Sequence, residues 1–173
     1  MNAKILRAAI IAVFTLGVIA AQAADKVAEP ETPISDMVIY DTALAPGWEN
    51  WSWAKTVLSN ELAGSPRKPI KVESGPWAAL YLHHAPFIPT GYKKISFLIQ
   101  GTSPDAEVRL FALVDGKAIG EGRAVKFKNT GWTKVEVPLV TIGVEEQAID
   151  GFWLQNGSEV DLPKYFVTEV KLQ

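Results

Sequence analysis

From Met37 to the C terminus the chain runs in short stretches in which apolar and polar residues alternate, each closed by Gly, Pro, Asn or Asp. A period of two marks antiparallel strands with one wet face, and no window sustains the 3.6-residue period of a helix. Strands are expected over 37–40, 51–58, 70–73, 78–83, 94–100, 107–114, 122–127, 133–138, 151–155 and 165–172. Asp115-Gly116 is the clearest tight hairpin signal, because such a turn favours positive φ. About ten short strands, with no helices to cover a parallel sheet, predict an all-β chain folded as a two-sheet antiparallel β-sandwich.

The first 23 residues stand apart from this pattern. Lys4 and Arg7 precede an apolar run from Ala8 to Ala21, closed by Ala21-Gln22-Ala23. That is the order of a secretory signal peptide, with cleavage expected after Ala23. The run falls short of the roughly 20 residues a membrane span needs, so no membrane association is expected once it is removed. Residues 24–36, ADKVAEPETPISD, are charged and proline-rich and read as a flexible tether. Residues 37–173 then form the sandwich domain.

Loss of residues 1–23 removes two basic groups and no acidic one, leaving 15 against 19 and a net charge of −4. A nucleic-acid partner is not expected from such a surface. The chain has no cysteine, which excludes thiolate chemistry, disulfides and a lipidated N-terminal cysteine. An exported chain without cysteine fits a bacterial secreted or periplasmic protein better than a small disulfide-rich extracellular domain.

Alternation also assigns faces. In WAALYLHH the buried set is Ala78, Leu80 and Leu82, which turns Trp77, Tyr81 and His83 outward together. In VRLFALV, Val108 and Leu110 point in and Arg109 points out. In GFWLQN, Phe152 and Leu154 point in while Trp153 and Gln155 point out. Three of the six tryptophans fall within Trp48-Glu49-Asn50-Trp51-Ser52-Trp53, where Trp51 and Trp53 share one side of the expected strand. An exposed apolar patch on a protein surface marks a binding site. Indole rings beside Gln, His and Arg suit a sugar, whose C–H face stacks on the ring and whose hydroxyls need donors and acceptors at its edge. The ligand-binding set expected is Trp51, Trp53, Trp77, Tyr81, His83, Arg109, Trp153 and Gln155. Burial of the same tryptophans in a core is the competing reading, since tryptophan is highly buried on average.

The stretches IYDTALAPGWENWSWA, WAALYLHH, GYKKISFLIQG, WTKVEVPLV, GFWLQN and YFVTEVKL together resemble jelly-roll carbohydrate-binding modules, of galactose-binding-like form, in bacterial secreted proteins. The resemblance spans nearly all of residues 37–173. It implies a jelly roll of eight to eleven strands, with a sugar lying across a sheet face or a loop-built edge. It also implies a structural calcium ion held between the first and last strands. Asp41 matches the first acidic position and Glu169 a terminal one, but Thr42 stands where a second acid is common and Thr168-Glu169 replaces an acidic pair. No other cofactor is expected.

Catalytic readings are weaker. His83 and His84 are neighbours on a strand and point to opposite faces, and no further His or Cys completes a zinc site. Hydrolysis of a glycoside needs two carboxylates facing one bond; the acids here, Glu49 among them, read as solvated surface. Tyr81, His83 and Arg109 form a set that a polysaccharide lyase would use, yet the strands are too short and few for that larger fold. The expected function is therefore non-catalytic carbohydrate binding, with a protein-interaction or envelope-structural sandwich second and a polysaccharide lyase or hydrolase third.

Overall fold

The computed structural model describes residues 34–173. The expected signal peptide and residues 24–33 of the expected tether lie outside the described residues. The end of the expected tether is fastened to the domain: the Asp36 carboxylate accepts hydrogen bonds from Lys171 Nζ at 2.6 Å and Gln173 Nε2 at 3.1 Å.

The described residues form eleven strands: β1 (Met37–Tyr40), β2 (Trp48–Asn50), β3 (Lys55–Val57), β4 (Ile70–Glu73), β5 (Ala79–Phe87), β6 (Lys94–Gly101), β7 (Ala106–Val114), β8 (Lys117–Phe127), β9 (Thr133–Pro138), β10 (Ile149–Gln155) and β11 (Tyr165–Leu172), with a 3-10 turn at Leu139–Ile142. All pairings are antiparallel. A six-stranded sheet runs β3-β4-β11-β6-β9, with β1 also against β11, and a five-stranded sheet runs β2-β5-β10-β7-β8. β4 takes Tyr165–Val167 of β11 and β1 takes its last residues. The break between them falls at Glu169, whose φ is 52°.

The inward residues of the two sheets meet as the alternation requires. Leu80, Leu82, Val108, Leu110, Val125, Phe127, Phe152 and Leu154 come from the five-stranded sheet, and Ile70, Val72, Ile95, Phe97, Ile99, Val137, Val167 and Leu172 from the other. Each such side chain contributes roughly 1.5–3 kcal/mol by leaving water. At the tip of the β7–β8 hairpin, Asp115 and Gly116 have φ of 51° and 67°, the two positive values that match the strand twist across a two-residue turn.

The expected strand over 51–58 does not form as one piece. β2 ends at Asn50 in the five-stranded sheet, and β3 begins at Lys55 in the six-stranded sheet. Residues 51–54 carry the chain between them while still lying along β5: Trp51 N donates to Tyr81 O and Ala54 N to Ala79 O, each at 3.0 Å. A run that leaves one sheet for the other has no single alternation, which is why the sequence period misplaced this element. β2 itself, three residues long, was not expected.

Candidate ligand-binding face

The outer face of the five-stranded sheet gathers seven of the eight expected residues, and the eighth, Trp77, stands two residues before β5. Register places them in rows. Glu49, His83 and Gly151 lie side by side across β2, β5 and β10. In the next row Tyr81, Trp153 and Phe111 cross β5, β10 and β7, with Trp51 bonded to the Tyr81 carbonyl. In the third row Ala79, Gln155, Arg109 and Ala124 cross β5, β10, β7 and β8.

The aromatic rings interlock. Trp51 lies flat against the His83 imidazole, with centroids 3.5 Å apart and planes 8° apart, and meets Tyr81 edge-on at 6.0 Å. Tyr81 meets Trp153 edge-on at 6.0 Å. Trp153 in turn meets Trp53 at 5.0 Å and Phe111 at 6.0 Å, both edge-on. Edge-to-face pairs align the positive rim of one ring with the negative face of the next and add about 0.5–1.5 kcal/mol each beyond the area they bury.

This packing splits the expected set into a floor and a display. Tyr81 is 5% exposed although it lies on the outer face, so it supports the others and is not itself presented. Trp153 is half-buried, and its indole N–H has no hydrogen-bond partner among the described residues. Trp51 and Trp53 stand above this floor at 54% and 49% exposure, and Trp77, whose carbonyl holds Trp53 and Gln155 at its edge, is 52% exposed. Which side of Trp51 and Trp53 is wet was open in the sequence; both are displayed, and the cause is the strand-free link along β5 and not alternation on one strand. Ser52, between them, is tied to the backbone: its Oγ accepts from Tyr81 N at 2.9 Å and donates to Asn50 Oδ1.

Trp48, the first tryptophan of the cluster, belongs to the core. It is 6% exposed, stacks over Phe152 at 6.5 Å and touches His84 and Phe87. The two histidines therefore part as neighbours on a strand must: His84 packs among core aromatics, and His83 backs Trp51.

The polar groups at the edge are partly committed. Gln155 Nε2 and Trp53 Nε1 both donate to the Trp77 carbonyl at 3.0 Å, so the backbone of Trp77 fixes its two neighbours. Trp77 adopts a left-handed φ of 55°. The loop it faces is held by Asn156, whose side chain donates to Gly75 O and Val160 O. Arg109 Nη1 donates to the Glu121 carbonyl at 2.8 Å, leaving further guanidinium donors. The Tyr81 hydroxyl lies 3.4 Å from Asp150 Oδ1, and Asp150 Oδ2 accepts from Gly116 N at 2.6 Å. Burial, then the negative charge of Asp150, push the Tyr81 hydroxyl up to about 12.

Three members of this face were missed in the sequence. Phe111 is two residues from Arg109 on the same strand, so the period that displayed Arg109 also displays it. Gly151 adopts a φ of 148°, and a Cβ there would lie 2.2 Å from Leu82 O and 2.9 Å from the Tyr81 ring; only a glycine leaves the floor in place. Glu49 carried no signal beyond its charge.

Asp41 and Glu169, the pair expected at a calcium ion, line one cleft but are engaged by protein groups. Glu169 Oε1 accepts from Arg67 Nε at 2.9 Å, the Asp41 carbonyl accepts from Thr168 Oγ1 at 2.8 Å, and Asp36 in the same cleft is held by Lys171. Six to eight oxygens are needed, and no group of three or more His, Cys, Asp or Glu is arranged around one point among the described residues.

No protein-family model matches the chain, and no curated protein matches it. Solved structures do. The Family 11 carbohydrate-binding module from Clostridium thermocellum, in complex with a beta-1,3-1,4-mixed-linked tetrasaccharide, superposes with a TM-score of 0.61 at 16% identity, over 82% of this chain and 96% of that one. The domain has the jelly-roll fold of carbohydrate-binding modules. A mutant Family 29 carbohydrate-binding module complexed with cellulohexaose matches this jelly roll with a TM-score of 0.57 at 13% identity, over 80% of this chain and 89% of that one. A Family 29 module from Piromyces equi gives 0.53 at 16% identity, over 80% and 89%.

Proposed function

We propose that this jelly roll is a non-catalytic carbohydrate-binding domain that takes an oligo- or polysaccharide chain on the outer face of its five-stranded sheet. The observation that carries the reading is the trio Trp51, Trp53 and Trp77, each about half exposed, the first two packed on an aromatic floor and the third bonded to its edge through its carbonyl. Large apolar rings kept wet at a cost to the free protein are what a ligand must cover. Because the floor and the Trp77 carbonyl already fix Trp51 and Trp53, little freedom of those two side chains is lost on binding. Sugar rings would stack on the indoles, with Gln155, Arg109 and His83 meeting hydroxyls at the edge. Two of the structures that share the fold hold a mixed-linked tetrasaccharide and cellulohexaose, which gives the ligand class its support.

The same geometry argues against a lyase. A base built from Tyr81 needs an accessible phenolate, whereas this hydroxyl is buried beside a carboxylate and keeps its proton to about 12. Export through the 1–23 signal, to the periplasm or the exterior, would place the domain where polysaccharide is met. A protein partner on the same rings is the alternative reading.

A glycan array probed with the full exported chain tests the proposal. Binding of a subset of glycans is expected, and Trp51→Ala, Trp53→Ala or Trp77→Ala should each weaken it at least about tenfold, with the melting temperature within a few degrees of the wild type. Silence across the array from a folded protein would overturn the reading, and capture of a protein in place of any glycan would favour the alternative.

A further inference from the structure

Trp51 is the most exposed large hydrophobic of the face at 54%, and it sits just beyond β2, in the link that carries the chain from one sheet to the other. Two side chains nevertheless fix its ring. Its indole N–H donates to Glu49 Oε2 at 2.7 Å, a short bond to a charged acceptor of the stronger kind. The His83 imidazole lies parallel against one side at 3.5 Å. Both positions follow from register, because Glu49 pairs with His83 across β2 and β5 and their side chains emerge together on the outer face.

Glu49 is not consumed by a cation. Among the described residues its one basic neighbour is His83 Nδ1 at 3.6 Å, beyond hydrogen-bond distance. The carboxylate's hydrogen bond is to the indole. The other displayed rings do without such a side chain: Trp53 donates its N–H to a backbone carbonyl, that of Trp77, which no substitution removes. Trp51 alone depends on a neighbour's side chain for its polar anchor.

We propose that Glu49 is a positioning residue of the face assigned above to carbohydrate. Its carboxylate sets the plane of Trp51 against His83, so the indole is pre-ordered and offers ligand one face. This rests on the carbohydrate-binding reading for its purpose, but the positioning is a property of the free protein.

The test separates the two. In a 15N–1H spectrum of the ligand-free chain, the Trp51 indole resonance is assigned by its loss in Trp51→Phe. Glu49→Ala should move that resonance toward the position of a solvated indole and speed its exchange with water, while Glu49→Gln, which keeps an acceptor oxygen, should leave both near wild type. With cellulohexaose as probe, Glu49→Ala should weaken binding about three- to tenfold, the cost of ordering one side chain on association, and Glu49→Gln should restore it to within about twofold. An unmoved Trp51 resonance in Glu49→Ala, or a Glu49→Gln variant that behaves like Glu49→Ala, overturns the proposal. If the wild type binds no glycan while the Trp51 resonance moves as stated, the carbohydrate reading fails and the positioning role of Glu49 stands.

Discussion

Tyr81 and Trp77 are four residues apart on the same side of the chain, and the structure gives them opposite tasks. Tyr81 is covered by Trp51 and Trp153 and bonded to Asp150; Trp77 is half exposed. Tyr81→Ala should therefore remove buried area and edge contacts and destabilise the domain by about 3 kcal/mol or more, readable by urea denaturation, whereas Trp77→Ala should leave the urea midpoint almost unchanged and abolish ligand binding. The Tyr81 hydroxyl also makes a pH prediction. Its folded value is raised above the ordinary value of 10 to about 12, so its contribution is complete below pH 10 and is lost as the pH rises from 10 to 12. Absorbance titration should show this phenol ionising late, and Tyr81→Phe should flatten the fall in stability across that window. At this scale the sequence was informative where a residue sits in a strand: Tyr81, His83, Arg109, Trp153 and Gln155 all lie on the face assigned to them. It could not tell floor from display, because alternation reports a face and not what else covers it. Phe111 was legible by the same rule but hidden in the apolar run LFALV.

β10 carries the centre of the face, and its geometry depends on one residue. The bulge between Ile149 and Gly151 turns Asp150 toward Tyr81 and the hairpin tip, while Gly151 lets the Tyr81 ring lie close. Gly151→Ala would put a methyl into Leu82 O and the Tyr81 ring from a φ that side chains rarely adopt. It should cost about 2 kcal/mol or more and broaden the indole resonances of Trp51 and Trp153, which a stability curve and an NMR spectrum would show. β5, β7 and β10 were readable because each stays in one sheet with one wet face. The stretch from β2 to β3 was not, since the chain changes sheets at residues 51–54 and the two sides of its alternation belong to different neighbours. The same change of sheet buries Trp48 and displays Trp51 and Trp53, so one six-residue cluster serves both core and surface.

The two outer faces of the sandwich are chemically unlike. Against the aromatic face of the five-stranded sheet, the six-stranded sheet presents ion pairs: Lys55 and Lys71 with Glu73, Lys94 and Lys134 with Glu136, Lys171 with Asp36, and Arg67 with Glu169. Exposed pairs of this kind contribute little stability and are screened by salt, but they make that face a poor place for an apolar ligand surface. Because Arg67 already occupies Glu169, a chelator should leave the melting temperature unchanged to within about a degree, and calcium should not raise it. The sandwich itself was legible from strand count and spacing; the division of labour between its faces was legible on the aromatic side alone, since ion pairs across strands need the register to be known. The central claim, that ligand meets Trp51, Trp53 and Trp77, is tested most directly by following the indole N–H resonances of all six tryptophans while the best glycan from an array is titrated in. Trp51, Trp53 and Trp77 should shift with one common affinity while Trp48, in the core, and Trp132, beside Arg67 just before β9, stay still. Shifts centred on Trp132, or none among the three displayed rings under saturating glycan, would contradict it.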